Sequence, residues 1–386
     1  MKRLLKISLD KLINAAASII VCLILSIFVD KSLFSLLLIS YPIFYLSNAI
    51  FSIFSTGANI SKVNGNKNDV LSGMTFGIIF SLIAFGFILF NVDNYINFIG
   101  IKTSSLFVIY IIIFIFLQGL LNIVLAKLYY EEKNKLANIY SGIFYSLNTL
   151  LILLTSILFE NAYLIIVPTI IVLFVFTSYL IIKSYEKFKL SFNILKWIKY
   201  DSTELVASIF LGIAFLFGIN NAVSYGEKYA LALTLVATMT DVQWDVFGAI
   251  SVVAKIDISK NSFDYKKHLK NAYLLVALIV ISIFVLFLIL LNVYKFNIVI
   301  VLIYLSFHVF DFLITPLFEI KTVQLQLKSS AALTTTNKLV ARIVRLILSF
   351  LKTPYCTVIA QVLASMYQII TVNIMYKNAK KKGTII

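Results

Sequence analysis

The chain has 386 residues, of which 61% are hydrophobic and only 13% charged, with 33 basic against 17 acidic side chains and a net charge of +16. Its mean hydropathy is +0.99, whereas a soluble chain is roughly half apolar and about a quarter charged. That excess of apolar surface excludes a soluble domain, extended disorder and a disulfide scaffold, and leaves an all-α integral membrane protein. Cys22 and Cys356 lie in apolar runs near opposite ends of the chain and read as small buried hydrophobes.

A bilayer core of about 30 Å takes roughly 20 apolar residues as a helix. In chain order the apolar runs are 12–29, 33–56, 70–90, 104–128, 137–159, 162–182, 203–224, 229–252, 270–293, 297–319, 333–352 and 355–376. The eleventh is the most polar, because it carries Thr334, Thr335, Thr336, Asn337, Lys338, Arg342 and Arg345. With twelve spans, the N-terminus, the C-terminal tail and the connections after the even spans hold 23 basic residues, and the opposite side holds five, counting Lys352 at the very end of span 11: Lys31, Lys102, Lys228, Lys295 and Lys352. Short cytoplasmic loops collect Lys and Arg. The expectation is therefore a multi-pass protein of the cytoplasmic membrane with both termini inside. Lys2, Arg3 and Lys6 ahead of the first run imitate a signal peptide; lacking a convincing small-residue cleavage site, that run reads as a retained first helix. The basic excess belongs to topology, with no basic stripe interleaved with stacking aromatics and no nucleic-acid partner.

Sliding the sequence by 193 residues overlays spans 1–6 on spans 7–12, and residue types echo. Ser47 and Asn48 meet Thr240 and Asp241, Lys62 meets Lys255, Asn64 meets Asp257, Gln118 meets Asp311, and Asn122 meets Thr315. An even number of helices per repeat gives both halves the same orientation, related by an axis along the membrane normal. The expected organisation is a six-helix bundle at 1–182, a cytoplasmic linker at 183–201, partly an amphipathic helix, and a second six-helix bundle at 202–386. Two such bundles would enclose a cleft at the bilayer midplane that can open to either side.

Two stretches carry a resemblance: STGANISKVNGNKND at 55–69, leaving span 2 for span 3, and its counterpart GAISVVAKIDISK at 248–260, followed by DYKKHLKNAY at 264–273. A small-residue helix end followed by a Gly-containing polar turn is similar to the multidrug and toxic compound extrusion (MATE) family, within the flippase superfamily that includes exporters of lipid-linked sugars and polysaccharide precursors. The second copy lacks the turn glycine. The major-facilitator group has a similar repeat, but the loop with Lys62, Gly65, Lys67 and Asp69 has no arginine-rich spacing.

Charged side chains at mid-bilayer are costly and therefore functional candidates. Acids of the first half all fall in loops or at helix ends. In the second half Asp241 and Asp245 lie four apart in span 8, with Gln243 between them. Asp311 stands near the middle of span 10, with His308 three residues earlier on the same face. Glu204 opens span 7. Burial disfavours the charged form of a carboxyl, so these groups could exchange H⁺; with hydroxyl and amide oxygens they could instead hold Na⁺. The resemblance implies a cation site built from acids on spans seven and ten, which Asp311 matches by span and Glu204 loosely. Ion pairing of Asp241, Asp245 and Asp311 with Lys338, Arg342 or Arg345 is the structural alternative. Arg342 and Arg345 could also bind phosphate, as a flippase for a lipid-linked sugar would require. Asn48, Gln118 and Asn122 are candidates for contacts with substrate or facing helices. Pro42, Pro168 and Pro316 lie inside spans and can bend them.

No phosphate-binding Gly-Lys-Ser/Thr loop, zinc motif or nucleophile elbow is present. The reading is an ion-coupled secondary transporter, not an enzyme, needing no cofactor beyond H⁺ or Na⁺, with membrane lipids and a small-molecule or lipid-linked substrate as partners; a monomer would suffice. A scaffold whose repeat merely builds a partner surface is the non-transport alternative.

Overall fold

The computed structural model describes residues 17, 20–30, 33, 36, 38–45, 47, 67–100, 104–131, 133–191, 194–240, 250–251, 253–254, 257–258, 263–293 and 296–384, and these form helices joined by turns and short irregular connections, with no strand among them. After helical stretches at 20–28 and 38–45 come α1 (Lys67–Phe90), α2 (Val92–Ile99), α3 (Ser105–Tyr130), α4 (Asn134–Leu158), α5 (Ala162–Ser184), α6 (Ile194–Ser224), α7 (Glu227–Thr240), α8 (Tyr265–Val293), α9 (Ile298–Lys328), α10 (Ala331–Ser349) and α11 (Cys356–Lys381). Eight helices among the described residues are long and apolar enough to cross a membrane; α7 and α10 are not among them.

Helix ends follow their sequence. Asn161, Asn297 and Ser330 each accept a hydrogen bond from a first-turn N–H with the side chain, the usual N-cap arrangement. Gly100 ends α2 with φ 75°, a left-handed conformation that costs glycine little. The short α2 was not expected from the sequence. It is eight residues long and amphipathic, burying Val92 and Ile99, and Tyr95 donates from its hydroxyl to the Ile39 carbonyl at 2.6 Å.

The chain divides into two compact units, Ala16–Ile213 and a second built on Ala214–Ile386. In the first, α3 is the central helix and packs against α1, α4 and α5 through Phe116, Leu120, Val124 and Leu128. In the second, α9 packs against α7, α8, α10 and α11. The starts of these two central helices, Ser105 and Ile298, are separated by the 193-residue offset of the repeat.

The outward faces are apolar. Ile79, Phe80, Ile83 and Phe87 of α1, and Ile281, Phe284, Val285 and Leu288 of α8, are exposed. Asn148, Thr169, Thr177, Asp311, Arg345 and Gln361 are buried. This inverts the soluble pattern, because lipid offers polar groups no partner. Helix α10 is the clearest case: Thr334, Asn337, Ala341, Arg345 and Ser349 form its buried stripe, while Leu333 and Ile347 face outward. At 19 residues and about 1.5 Å per residue, its length approaches the hydrocarbon thickness. Its polar composition reflects what it faces inside its own unit.

Of the partly helical linker expected at 183–201, residues 185–191 are non-helical and Ile194 onward is helical. They lie along α1, with the Ser191 N–H donating to Ser72 Oγ at 2.8 Å and the Lys189 N–H to Asn68 Oδ1 at 3.3 Å. Helix α6 then runs unbroken from Ile194 through the start of the expected seventh span. Lys127 anchors the preceding turn. It is 5% exposed and its Nζ donates to the Ser184 carbonyl at 2.6 Å, with Glu131 at 3.0 Å and Glu186 at 3.3 Å.

In the second unit, the turn between α10 and α11 is held from two sides. Asn221 donates to the Leu351 and Thr353 carbonyls, Tyr225 to Lys352 and Tyr304 to Pro354. Gly218 lets α6 approach α11: a Cβ there would sit 2.7 Å from Thr357 Oγ1. Cys22 and Cys356 are free and buried.

Lys127→Met is expected to cost about 1–3 kcal/mol, because the Ser184 carbonyl and two carboxylates lose their charged donor, and to lower the melting temperature of the purified protein. Burial raises the Glu131 carboxyl, but hydrogen bonds from Lys133 and Lys127 outweigh this and hold it below its ordinary value of 4.5. A lowered carboxyl contributes stability above its ordinary range that is lost as pH falls through the lowered value. The melting temperature of Lys127→Met should therefore fall less steeply than that of the wild type on acidification below pH 4.5. Parallel curves would show that the pair contributes nothing.

Candidate functional site

The buried polar cluster of the second unit is built by α9, α10 and α11. Asp311 lies 13 residues into α9, so at about 1.5 Å per residue it stands near 20 Å along the helix, which is long and apolar enough to cross a membrane. It is 2% exposed. Its Oδ2 accepts a hydrogen bond from Gln361 Nε2 of α11 at 2.7 Å. The carbonyl oxygen of the same amide, Gln361 Oε1, accepts from Arg345 Nη2 of α10 at 3.1 Å. Arg345, also 2% exposed, lays its guanidinium over the Phe215 ring of α6, 4.6 Å from the centroid.

Elementary hydrogen-bond chemistry fixes the orientation of that amide. A carboxylate only accepts and a guanidinium only donates. A glutamine between them satisfies both only with its nitrogen toward the acid and its oxygen toward the arginine. Gln361 thereby joins an anion and a cation whose formal charges cancel, and each of its bonds is charge-assisted, worth more than a neutral one.

The local backbone is modified at the same place. Pro316, inside α9, has no N–H for the Phe312 carbonyl four residues earlier. Thr315 Oγ1 donates to the Asp311 carbonyl at 2.8 Å. His308 is 9% exposed, its ring lies 6.3 Å from that of Phe312, and its Nδ1 makes no hydrogen bond among the described residues.

The sequence candidates thus separate. Asp311, His308 and Arg345 fall in one cluster, and Arg342 lies one turn from Arg345, half-buried. In the first unit Gln118 donates to the Tyr145 hydroxyl of α4 at 2.5 Å and so serves helix packing, one turn before the half-buried Asn122. Beside it, Tyr110 donates to Asn148 Oδ1 at 2.8 Å. Asn48, Asp241, Gln243 and Asp245 lie outside the described residues, as does most of the two loop stretches at 55–69 and 248–260; Glu204 lies in α6, with only its backbone described.

Gln361 and Phe215 were not among the sequence candidates. Gln361 was legible in principle, since Gln361, Ser365 and Gln368 recur at helical spacing in the last span, but the second-half amide singled out was Gln243, because it lies between Asp241 and Asp245, and Gln361 has no charged neighbour in sequence. Nothing in the sequence singled out Phe215 among 33 phenylalanines. Among the described residues no three His, Cys, Asp or Glu side chains converge as a metal site.

Gln361→Leu removes one charge-assisted bond from Asp311 and one from Arg345, each worth about 1.5–3 kcal/mol. It is expected to lower the melting temperature in detergent, and less so in an Arg345→Met background, where half of the bridge is already gone. Equal losses in both backgrounds would mean that the amide does not couple the two charges.

No family model matches the sequence, and no curated protein matches it. Solved structures do. The chain is similar to an inward-facing multidrug resistance MATE family transporter of the MOP superfamily, with a TM-score of 0.67 and 16% identity over 98% of each chain. An outward-facing structure of a multidrug resistance MATE family transporter gives 0.61 at 15% identity, covering 98% of this chain and 96% of that one. A MOP superfamily transporter from Pyrococcus furiosus, described as having a binding pocket of reverse polarity that suggests a different function, gives 0.66 at 16% identity over 98% and 96%. At these identities the likeness establishes the fold: the chain has the fold of MATE transporters of the MOP superfamily, and the resemblance read from its two polar loops holds at that level, in preference to the major-facilitator alternative.

Proposed function

We propose that this protein is a secondary active transporter of a cell membrane, not an enzyme, that moves an amphipathic small molecule outward by alternating access. In this reading it has twelve spans in two six-helix bundles, both termini lie in the cytoplasm, and Asp311 carries the coupling ion, H⁺ or Na⁺. The fold is shared with transporters described in inward- and outward-facing states. The observation that carries the reading is the burial of Asp311, with its bridge to Arg345, inside a helix otherwise suited to hydrocarbon.

An acid in that position is expensive to retain, and a purely structural role would be served as well by an uncharged polar group. Binding an ion at Asp311 takes the pair with Arg345 from a net charge of zero to +1. Two conformations that solvate that charge differently are then biased by the ion, and a ligand can shift an equilibrium only through such a difference. Pro316, five residues on, supplies a place where α9 can bend without breaking a complete hydrogen-bond ladder.

Export of a lipid-linked sugar precursor is the other reading the sequence raised, with Arg342 and Arg345 gripping phosphate. The placement of Arg345 weighs against it, since the guanidinium is already committed to Gln361 and stacked on Phe215. Arg342 alone would be a weak phosphate site.

The test uses proteoliposomes loaded with a pH-sensitive dye and given an amphipathic cationic fluorophore as cargo. Asp311→Asn is expected to abolish ion-driven accumulation, at least tenfold below wild type, while retaining a wild-type elution profile. Full ion-dependent transport by Asp311→Asn would remove Asp311 from the mechanism.

A further inference from the structure

We infer that the groove between α9 and α11 holds one anionic phospholipid, with its phosphate on Lys321 and Lys377 and an acyl chain along the apolar stripes that lead to them. The inference concerns a resident lipid and holds whatever cargo crosses the membrane. It starts from Lys321, seven residues before the end of α9 and half-buried. The Nζ donates to Asn373 Oδ1 of α11 at 2.6 Å. It also lies 5.6 Å from the ring centroids of Tyr265 of α8 and Tyr376 of α11, within reach of a cation–π attraction. A lysine that merely snorkels to water keeps its amine free to move, whereas this one is fixed where three helices meet. An ammonium has three N–H donors, and Asn373 is its one hydrogen-bond acceptor among the described residues.

The positive charge of Lys321 is not alone. Lys377 stands one turn beyond Asn373 on the same face of α11, followed on that face by Lys381, and both are exposed. Like charges four apart on a helix repel, and Lys321 brings a third to the same face. A phosphate among them satisfies the free donors with charge-assisted bonds. The described acids toward this end of the unit are engaged elsewhere: Asp257 with His268 at 3.1 Å, Asp264 with the Lys267 N–H at 3.2 Å, and Glu319 with Ser251 Oγ at 3.2 Å. An excess of lysine on one side satisfies topology, but topology requires no lysine to be held in place between rings.

The surface beneath the lysines selects a lipid over a free phosphate. Phe310, Ile314, Leu317 and Lys321 follow one another along α9 at spacings of four, three and four, and Met366, Ile370, Asn373 and Lys377 repeat those spacings along α11. Each set therefore forms one stripe of its helix. Phe310, Met366 and Ile370 are exposed, and Ile314 and Leu317 are half-buried. The two helices pack together through Phe318, Leu325, Val372 and Ala379. From Phe310 to Lys321 the rise is about 16 Å at 1.5 Å per residue, close to half of a hydrocarbon core of about 30 Å. An acyl chain one leaflet long thus fits below a phosphate at Lys321, whereas a free phosphate leaves both stripes unused. In the orientation proposed above, this end faces the cytoplasm, whose leaflet carries anionic lipids.

The experiment titrates delipidated full-length protein in detergent with dioleoylphosphatidylglycerol, dioleoylphosphatidylcholine or soluble glycerol 1-phosphate. Native mass spectrometry counts bound lipid, and melting temperature reports its effect. Wild type is expected to bind one phosphatidylglycerol saturably, to melt higher when it does, and to ignore glycerol 1-phosphate over the same range. Lys321→Gln should weaken phosphatidylglycerol binding by about tenfold, the loss of one hydrogen bond from a charged group, and Lys321→Arg should restore most of it. Lys267→Gln, on the opposite side of α8 from Tyr265, should bind as wild type does. Equal affinity for the two phospholipids, or equal losses in Lys321→Gln and Lys267→Gln, would reduce the effect to general surface charge and overturn the site. Glycerol 1-phosphate binding as tightly as the lipid would overturn the lipid as occupant. Where Lys321→Gln does not fold, the exposed Lys377→Gln takes its place: a loss of about threefold is expected for an exposed charge, and unchanged binding would overturn the proposal.

Discussion

Hydrocarbon accepts no hydrogen bonds, and that constraint organises the buried hydrogen bonds of this chain. A side chain that cannot be solvated from outside has to be satisfied by a neighbouring helix or by its own backbone. Gln118 with Tyr145, Tyr110 with Asn148, and Gln361 with Asp311 and Arg345 are three answers to the same requirement. The serines and threonines give a fourth: Ser26, Thr75, Ser81, Thr149, Thr315 and Thr371 each donate to the carbonyl four residues earlier. The apolar faces of α1 and α8 are left outside because lipid suits them.

The two units use this rule differently. In the first, the cross-helix bonds between α3 and α4 join neutral groups, and the buried cation, Lys127, sits at a helix end where it collects a carbonyl and two carboxylates. In the second, opposite charges are brought into the interior and joined through an amide. A neutral bond cements helices, whereas a charged site whose net charge changes on ion binding can also bias one arrangement over another. Among the described residues, the buried acid and arginine joined in this way belong to α9 and α10, with the amide between them on α11.

Much of this could be read from the residues. Asp311 and His308 stood out because a charge in an apolar run has few innocent explanations, and the helices that begin at Ser105 and Ile298 do start 193 residues apart. The eleventh run looked weak because averaging hydropathy around a helix hides which side is polar; α10 turns Thr334, Asn337 and Arg345 inward and Leu333 and Ile347 outward. Gln361 escaped because its importance lies in what flanks it, and spatial neighbours 16 and 50 residues away leave no spacing signal. Helix α2 escaped because eight residues with two buried positions fall below any useful period. The linker expected at 183–201 as partly helical is helical from Ile194 on, while bonds from its backbone to Ser72 and Asn68 hold residues before it along α1.

The central claim is the proposal that Asp311 is where the coupling ion binds. Transient currents from proteoliposomes adsorbed on a solid-supported membrane, evoked by a jump in H⁺ or Na⁺ concentration without cargo, read ion binding directly. A saturable current is expected in the wild type, absent from Asp311→Asn and retained in Asp257→Asn. An identical current from Asp311→Asn would contradict the account.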